Sequence, residues 1–339
     1  MANHIEEVAR NIALFCLFPF IKGRNVKGIE VVRERSLLLQ QIRQFFDTRG
    51  FLEVQTPCLL AHAIVDAYID PIEVVGDQVE ISGKTPSRQY LQTSPELAMK
   101  QLLASGVSSI YGIGPAFRAE EKGQLHRTEF TMLEWYQVGA VENDAVRLLG
   151  EFACDLLGHS NYEVLDYRQA FLRTLEIDPI DSSLPELVSV ASQCDATLAS
   201  SLATDRDGLL DYLMSEFVQP TLGLDGPLVL RNYPRSQAAL AKVSSDDPQC
   251  AARFELFVSG VELANGYDEL NNVAELTERA RMVHEKRERL GRKPIAEMPA
   301  ELLSQISDGL PQCAGVALGV DRLHLLRSGR KSLDEVSLF

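Results

Sequence analysis

Paired cysteines are missing from this chain. The six cysteines, at positions 16, 58, 154, 194, 250 and 313, stand apart, and no two share CxxC spacing. That pattern indicates neither a zinc site nor a redox dithiol. Free thiols in a reducing cytosol are the preferred reading, so a cytoplasmic location is expected. Long apolar runs are scarce too. The run NIALFCLFPFI, residues 11–21, is too short to span a bilayer. Only Arg10 is basic before it, and Glu6 and Glu7 are acidic, so neither a signal peptide nor a membrane role is expected. Positive charge is also short. With 33 Lys and Arg against 48 Asp and Glu, the net charge is −15. This argues against a protein whose affinity rests on neutralising phosphates. A local basic patch remains compatible with it, but a protein or small-molecule partner is favoured over tRNA. No internal repeat or low-complexity tract is evident.

What is present is a chain of 339 residues, 45% of them hydrophobic, ample for one large catalytic domain. Its most informative stretch is GPAFRAEEKGQLHRTEFTMLEWY, Gly114 to Tyr136. Two apolar, β-prone runs flank a polar loop, which predicts a hairpin. Arg118 and Glu120 lie on one side of the loop, and Glu129, Phe130, Glu134 and Tyr136 on the other. A cation, an aromatic face and carboxylates on adjacent strands suit a nucleotide: Arg for phosphate, the ring for a base, acids for metal or amine. An amphipathic surface hairpin with ordinary salt bridges explains this segment equally well.

A second segment, AGVALGVDRLHLL from Ala314 to Leu326, favours the first explanation. Small residues at Gly315, Ala317 and Gly319 allow close backbone packing or close ligand approach. Asp321 is a candidate cap for a helix opening with Arg322. An Arg at a helix start after such a strand suits an anionic ligand.

Elsewhere, Leu38, Ile42 and Phe45 or Phe46 fall at helical spacing in a helix predicted over 33–49, with Gly50 as its stop. A second helix starts at Thr93 or Ser94, with Pro95 in its first turn and Gly106 after its end. Residues 141–160 read as helix, 181–225 as a helix-rich insertion, Pro227–Pro234 as a buried strand, and Glu269–Arg292 as a charged helix with a solvated face. Hairpins interrupted by helices predict an α+β domain built on an antiparallel sheet flanked by helices.

Together these segments resemble motifs 2 and 3 of class II aminoacyl-tRNA synthetases. A motif 1-like helix followed by FLEVQTP precedes them in the right order. TSPEL (93–97), HRTEFTMLEWY (126–136) and GVELANGYDELN (260–271) resemble the lysyl branch. The resemblance covers about residue 29 to the end and implies the same antiparallel α+β sheet. It leaves residues 1–28 as an extension of unassigned role. An anticodon-binding domain of the usual small-domain size, ~100 residues, is not expected ahead of the motif 1-like helix.

The resemblance implies these roles. Arg118 and Arg322 would stabilise charge developing at the α-phosphorus of ATP. Phe130 would stack on adenine, with Glu120 and His126 also touching ATP. Glu255 and Glu262 would hold Mg²⁺, which commonly takes one or two carboxylates plus phosphates; their spacing of seven fits a strand and turn or one helix face. Glu96, Glu134 and Glu269 would form the amino-acid pocket, beside Ser94, Tyr136, Asn265, Tyr267 and Ala317. Three convergent carboxylates repel one another unless the ligand is cationic. A diamino acid brings two ammonium groups, whereas an aspartate-type substrate would need Arg or Lys there. The family also implies a homodimer through motif 1, where the face of Leu38, Ile42 and Phe45 needs a partner surface or the domain's own core.

The chain departs from lysyl-tRNA synthetases in several places. Ala317 stands where they usually carry Gly, Ser94 where they carry Ala, Ala119 where an Asn or Asp type is common, and HRTEF replaces HNPEF. A short, acidic chain with Ala at that glycine closely resembles the paralogous elongation factor P lysine ligases. Those enzymes make an aminoacyl-adenylate and transfer the acyl group to a lysine ε-amine of elongation factor P, preferring (R)-β-lysine to α-lysine. The alternatives are a truncated lysyl-tRNA synthetase that charges tRNA and a non-catalytic paralogue that binds lysine or ATP. The non-catalytic reading would be expected to have lost Arg118, Arg322 or a magnesium carboxylate, and all are present.

Overall fold

The structure is a computed structural model that describes residues 26–337, apart from 65, 76–87 and 296–299. Residues 1–25 of the expected extension lie outside the described residues. Ten α-helices are described: α1 (Val26–Asp47), α2 (Glu96–Ala104), α3 (Glu142–Leu157), α4 (Tyr167–Leu175), α5 (Leu184–Ser192), α6 (Ala196–Ser201), α7 (Arg206–Leu213), α8 (Val273–Arg289), α9 (Ala300–Gly309) and α10 (Val320–Arg327). The main sheet runs β1 (Leu52–Glu53), β5 (Ile110–Phe117), β6 (Glu129–Val138), β11 (Cys313–Gly319), β10 (Val261–Asp268), β9 (Cys250–Val258), β8 (Leu228–Pro234) and β7 (Glu163–Asp166). A small sheet orders β2 (Leu59–Leu60), β4 (Gln89–Leu91) and β3 (Glu73–Val74). The centre of the large sheet is antiparallel, as expected. Its two edge pairs, β1 with β5 and β7 with β8, are parallel.

Strand register positions the site. Gly112, Glu134, Ala317, Asn265 and Glu255 stand side by side across β5, β6, β11, β10 and β9. The next row holds Ile110, Tyr136, Gly315, Tyr267 and Arg253. Side chains alternate along a strand, so both rows share one face. The β9–β10 hairpin carries a bulge. Glu262 opposes Phe257 while Ala264 opposes Leu256, leaving Leu263 as the extra residue. Without it, Glu262 and Asn265, three residues apart, would point to opposite faces; with it they share the face of Glu255.

The other face is the main apolar core. Tyr111, Leu133, Trp135, Phe254, Leu256, Val316 and Leu318 meet α1, α3 and α10. Phe46 stacks on Tyr111 with ring centroids 4.8 Å apart, and Phe45 meets Phe152 edge-on at 5.1 Å. Thus Leu38, Ile42, Phe45 and Phe46 are buried in the domain's own core, and that helix face is not free for a partner. The outward side of α1 instead exposes Ile29, Val32 and Leu37.

The segment expected as an insertion over 181–225 forms α5, α6 and α7, a π turn at Met214–Val218 and a 3-10 turn at Gln219–Thr221. With α4 and β8 it builds a second apolar cluster around Phe171, Leu187, Leu209 and Leu213.

Three expectations about helices need correction. Helix α1 begins at Val26, seven residues earlier than predicted. Helix α10 begins at Val320 with Gly319 as its cap, so Asp321 caps nothing. Asp321 instead accepts from Arg35 Nη1 at 2.6 Å and from the Thr131 N–H at 2.7 Å, tying α1 and β6 to the start of α10. Helix α8 starts at Val273, where the Asn272 side chain accepts the Glu275 N–H at 3.0 Å. Glu269 therefore lies off the helix, just beyond β10. Nor is α8 wholly solvated. Arg287 is buried and donates to the Asp66, Ile69 and Lys293 carbonyls and the Asp70 carboxylate. A guanidinium supplies five donors, enough to satisfy a buried loop.

Candidate active site

The site face of the sheet floors a cleft of about 2060 Å³, walled by α8, residues 64 and 66–69 and part of α7. Ser94, Glu96, Arg118, His126, Phe130, Glu262, Asn265, Tyr267, Ala317 and Arg322 all line it. Glu134, Tyr136 and Glu269 lie buried at its floor, and Glu255 is nearly so.

At one end, three carboxylates converge as expected. Ser94 Oγ and the Tyr136 hydroxyl each donate to Glu134, both at 2.6 Å. The Ser94 hydroxyl also accepts the Glu96 N–H at 3.0 Å, tying the start of α2 to β6. Burial, reinforced by the charge of Glu96, pushes the Glu134 carboxyl up to about 8, although Ser94, Tyr136 and Lys100 pull the other way. Glu269 rises to about 7 through burial and the charge of Glu96, against the pull of Lys100. Lys100 bridges Glu96 and Glu269 at 2.6 Å each. The repulsion inferred from three acids alone is therefore partly relieved from within. Gly315 makes room for this. A Cβ there would lie 2.4 Å from the Tyr136 ring and 2.5 Å from Glu269 Oε1. Asn265 Nδ2 donates to the Tyr267 hydroxyl at 2.8 Å.

The other end is cationic. Arg118 follows β5, its Cζ 5.0 Å from the Phe130 ring centroid and its Nη1 3.6 Å from Glu121. Arg322 is braced: its Nε and Nη1 donate to the Leu125 and Glu262 carbonyls at 3.1 and 2.9 Å, and Nη2 lies 2.7 Å from His126 Nε2. Burial and the neighbouring Arg322 charge lower the His126 pKa, which suits a neutral ring accepting from Arg322. His126 is thus more than a solvated loop residue. Glu120 does not enter the cleft. It is exposed, at a left-handed φ of 62°, and Glu121 takes the lining position.

Glu255 and Glu262 meet between the two ends, across the β9–β10 strands and turn rather than on a helix face. Arg253 Nη2 donates to Glu255 Oε1 at 2.6 Å, and the Tyr233 hydroxyl donates to Oε2. Burial, then the adjacent Glu255 charge, raises Glu262 to about 7, with Arg322, Arg253 and Arg118 opposing. Two crowded carboxylates, one of them held proton-rich by burial, fit a divalent cation that would relieve their repulsion.

Residues 17–339 match the family model described as tRNA synthetases class II (D, K and N). The chain belongs to this family. It is similar to relatives named elongation factor P–(R)-β-lysine ligase. That of Photorhabdus laumondii subsp. laumondii is 40% identical over 312 residues, 90% of this chain and 93% of the relative. That of Vibrio vulnificus is 40% identical over 315 residues, 92% and 96% of the two chains. That of Salmonella typhi is 39% identical over 312 residues, 90% and 93%. The class II synthetase-type domain accounts for the central antiparallel sheet and its helical cover.

Several residues of this class II site went unread in the sequence. Lys100 stands four residues after Glu96, a spacing that puts both on one helix face, but nothing local shows that the face is buried. Arg253 and Tyr233 support Glu255 from strand positions without any motif of their own. Asp207 and Asp211, on α7, line the cleft from a segment that carried no chemical signal.

Proposed function

We propose that this class II enzyme is an ATP-dependent ligase. It activates (R)-β-lysine, and α-lysine less well, as an aminoacyl-adenylate and transfers the acyl group to the ε-amine of a lysine on elongation factor P. One observation carries the reading: an acidic, buried, amine-sized end and a cationic end share one cleft, with Glu255 and Glu262 between them. The two ends suit a diamino acid and a triphosphate. The substrate carboxylate lies toward Arg118 and attacks the α-phosphorus of ATP, and pyrophosphate leaves. Arg118 and Arg322 offset charge developing on the phosphate oxygens. Phe130 offers the ring face for adenine. Glu255 and Glu262 would hold Mg²⁺, which would supply charge neutralisation on the phosphates. In the second step the acceptor amine attacks the acyl carbonyl, AMP leaves and an amide forms with loss of one proton.

Residues 29–339 are read as the catalytic domain, with 181–225 inserted in it. The acceptor is read as a protein and not tRNA on the strength of the −15 net charge. The location is read as cytoplasmic, in keeping with five free cysteines among the described residues. A homodimer is proposed from the family resemblance, with exposed Ile29, Val32 and Leu37 of α1 as the apolar surface a second copy would cover. Mass spectrometry of elongation factor P incubated with this protein, ATP and each lysine isomer tests the main reading. A mass gain of one lysyl group, larger with (R)-β-lysine, is expected; no gain with either isomer overturns it.

A further inference from the structure

Among the described residues, Lys100 is the one cation seated among the three acids of the amine end. Its side chain is 6% exposed, and its ammonium lies 2.6 Å from Glu96 Oε1 and 2.6 Å from Glu269 Oε2. Burial works to lower its pKa, but Glu269 and Glu96 together outweigh burial and raise it, so it stays charged. Glu134 faces no ammonium at hydrogen-bond distance. Its partners, Ser94 and Tyr136, are neutral hydroxyls. Counted in the ionised form that pairing with an ammonium requires, three carboxylates and one ammonium leave two negative charges unbalanced. A diamino acid carries two ammonium groups.

We propose that Lys100 is a built-in counter-cation that sets the charge count of the amino-acid subsite, tuning it to a ligand with two ammonium groups. The inference rests on the proposed function, which makes this end the amino-acid subsite. Lys100 is a positioning and selectivity residue: it acts through Glu96 and Glu269. An unneutralised third carboxylate would bind a proton or draw in a stray cation in place of the correct ligand. Removing Glu269 alone leaves a single net negative charge, too little for a diamine. Removing Lys100 and Glu269 together restores two.

The test is lysine-dependent pyrophosphate–ATP exchange by Lys100→Met, Glu269→Gln and the double variant. Each is assayed with β-lysine, α-lysine and norleucine, which keeps the chain and one amine, and KM for ATP is measured alongside. Both single variants are expected to raise the lysine KM by at least about tenfold with ATP KM unchanged. The double variant is expected to use lysine better than Glu269→Gln does, so deleting a second pocket residue improves function. Glu269→Gln should also lose preference for lysine over norleucine. A double variant no better than Glu269→Gln overturns the proposal, and this comparison stands even if Lys100→Met alone does not fold. If the wild type shows no lysine-dependent exchange, the functional reading itself falls and the proposal falls with it. If the wild type exchanges and only the rescue fails, the charge-count role alone is lost.

Discussion

The two ends of the cleft handle charge in opposite ways. At the cationic end, Arg118 and Arg322 are half-buried and held mostly by neutral groups: an aromatic face, two carbonyls and a neutral histidine. Among the described residues Glu121 is the one carboxylate that pairs Arg118 closely, at 3.6 Å, with Glu262 acting on it from farther off. Their charge is aimed but scarcely consumed, so a phosphate meets little competition. At the acidic end, every carboxylate is engaged. Glu96 and Glu269 share Lys100, and Glu134 takes two hydroxyl donors. The difference follows from burial. A partly hydrated guanidinium costs little to leave unpaired, whereas a carboxylate excluded from water must be paired, hydrogen-bonded or protonated. On the proposed function, one end would stabilise charge that develops during reaction, and the other would count charge already on the ligand.

The largest expected effect is at the cationic end. Arg118→Ala or Arg322→Ala should each lower lysine-dependent pyrophosphate–ATP exchange by ~10²–10³, the usual cost of losing one transition-state donor. Near wild-type exchange in both would break the assignment of that end. Between the ends, Glu255→Gln and Glu262→Gln should raise the Mg²⁺ needed for half-maximal exchange. The shift should at least match the ~10–100-fold that loss of a supporting partner costs a metal site. Excess Mg²⁺ should rescue part of the rate. An unaltered Mg²⁺ titration would make both glutamates structural.

A smaller effect is expected from Ala317→Gly. Ala317 lies directly between Glu134 and Asn265 on neighbouring strands, so its methyl borders the subsite. The amines of α- and β-lysine differ in distance from the carboxylate by one carbon. Removing the methyl should shift relative kcat/KM toward α-lysine by about 1–3 kcal/mol. An unchanged ratio would place specificity elsewhere.

The smallest effect is on pH. Glu134 and Glu269 are raised to about 8 and about 7, and each must be ionised to pair an ammonium. Lysine KM should therefore fall severalfold as pH rises from about 6.5 to 8.5, and Glu134→Gln should flatten that dependence. The stability of the ligand-free protein moves the other way. The native state holds protons that the unfolded state releases above its ordinary carboxylate pKa. Stability should thus decline as pH rises from about 4.5 through 7–8, with lysine reversing the loss. Thermal melts across that range with and without lysine check the sign; a rise with pH in the free protein would contradict it.

Residues near one another in sequence were the legible part of this site. The hairpin holding Arg118 and Phe130 forms where expected, with strands at Ile110–Phe117 and Glu129–Val138. Small residues at Gly315, Ala317 and Gly319 lie on one strand as expected, and at Gly315 the close approach is real, since a Cβ would meet the Tyr136 ring. Glu120 stands at a left-handed turn position, invisible in composition, and is exposed while Glu121 lines the cleft. Asp321 is no cap because the helix starts two residues earlier than its capping chemistry suggests, and long-range partners claim the carboxylate.

Local sequence determined which segments are strands and helices, because periodicity and turn chemistry act over a few residues. It also determined which cations and acids are available, and through the order of three motifs the family. Tertiary structure alone decided the rest. The bulge at Leu263 puts Glu262 on the face of Asn265, and register alone sets Ala317 beside Glu134. The apolar face of α1 goes into the core because Phe46 finds Tyr111 and Trp135 there. Lys100 and Glu269, 169 positions apart, become partners only when α2 packs its Met99 and Leu103 against Ile110, Tyr136 and Cys313 of the sheet. Burial gives such a pair its meaning. The same two charges on a solvated surface would interact weakly, whereas excluded from water they interact strongly.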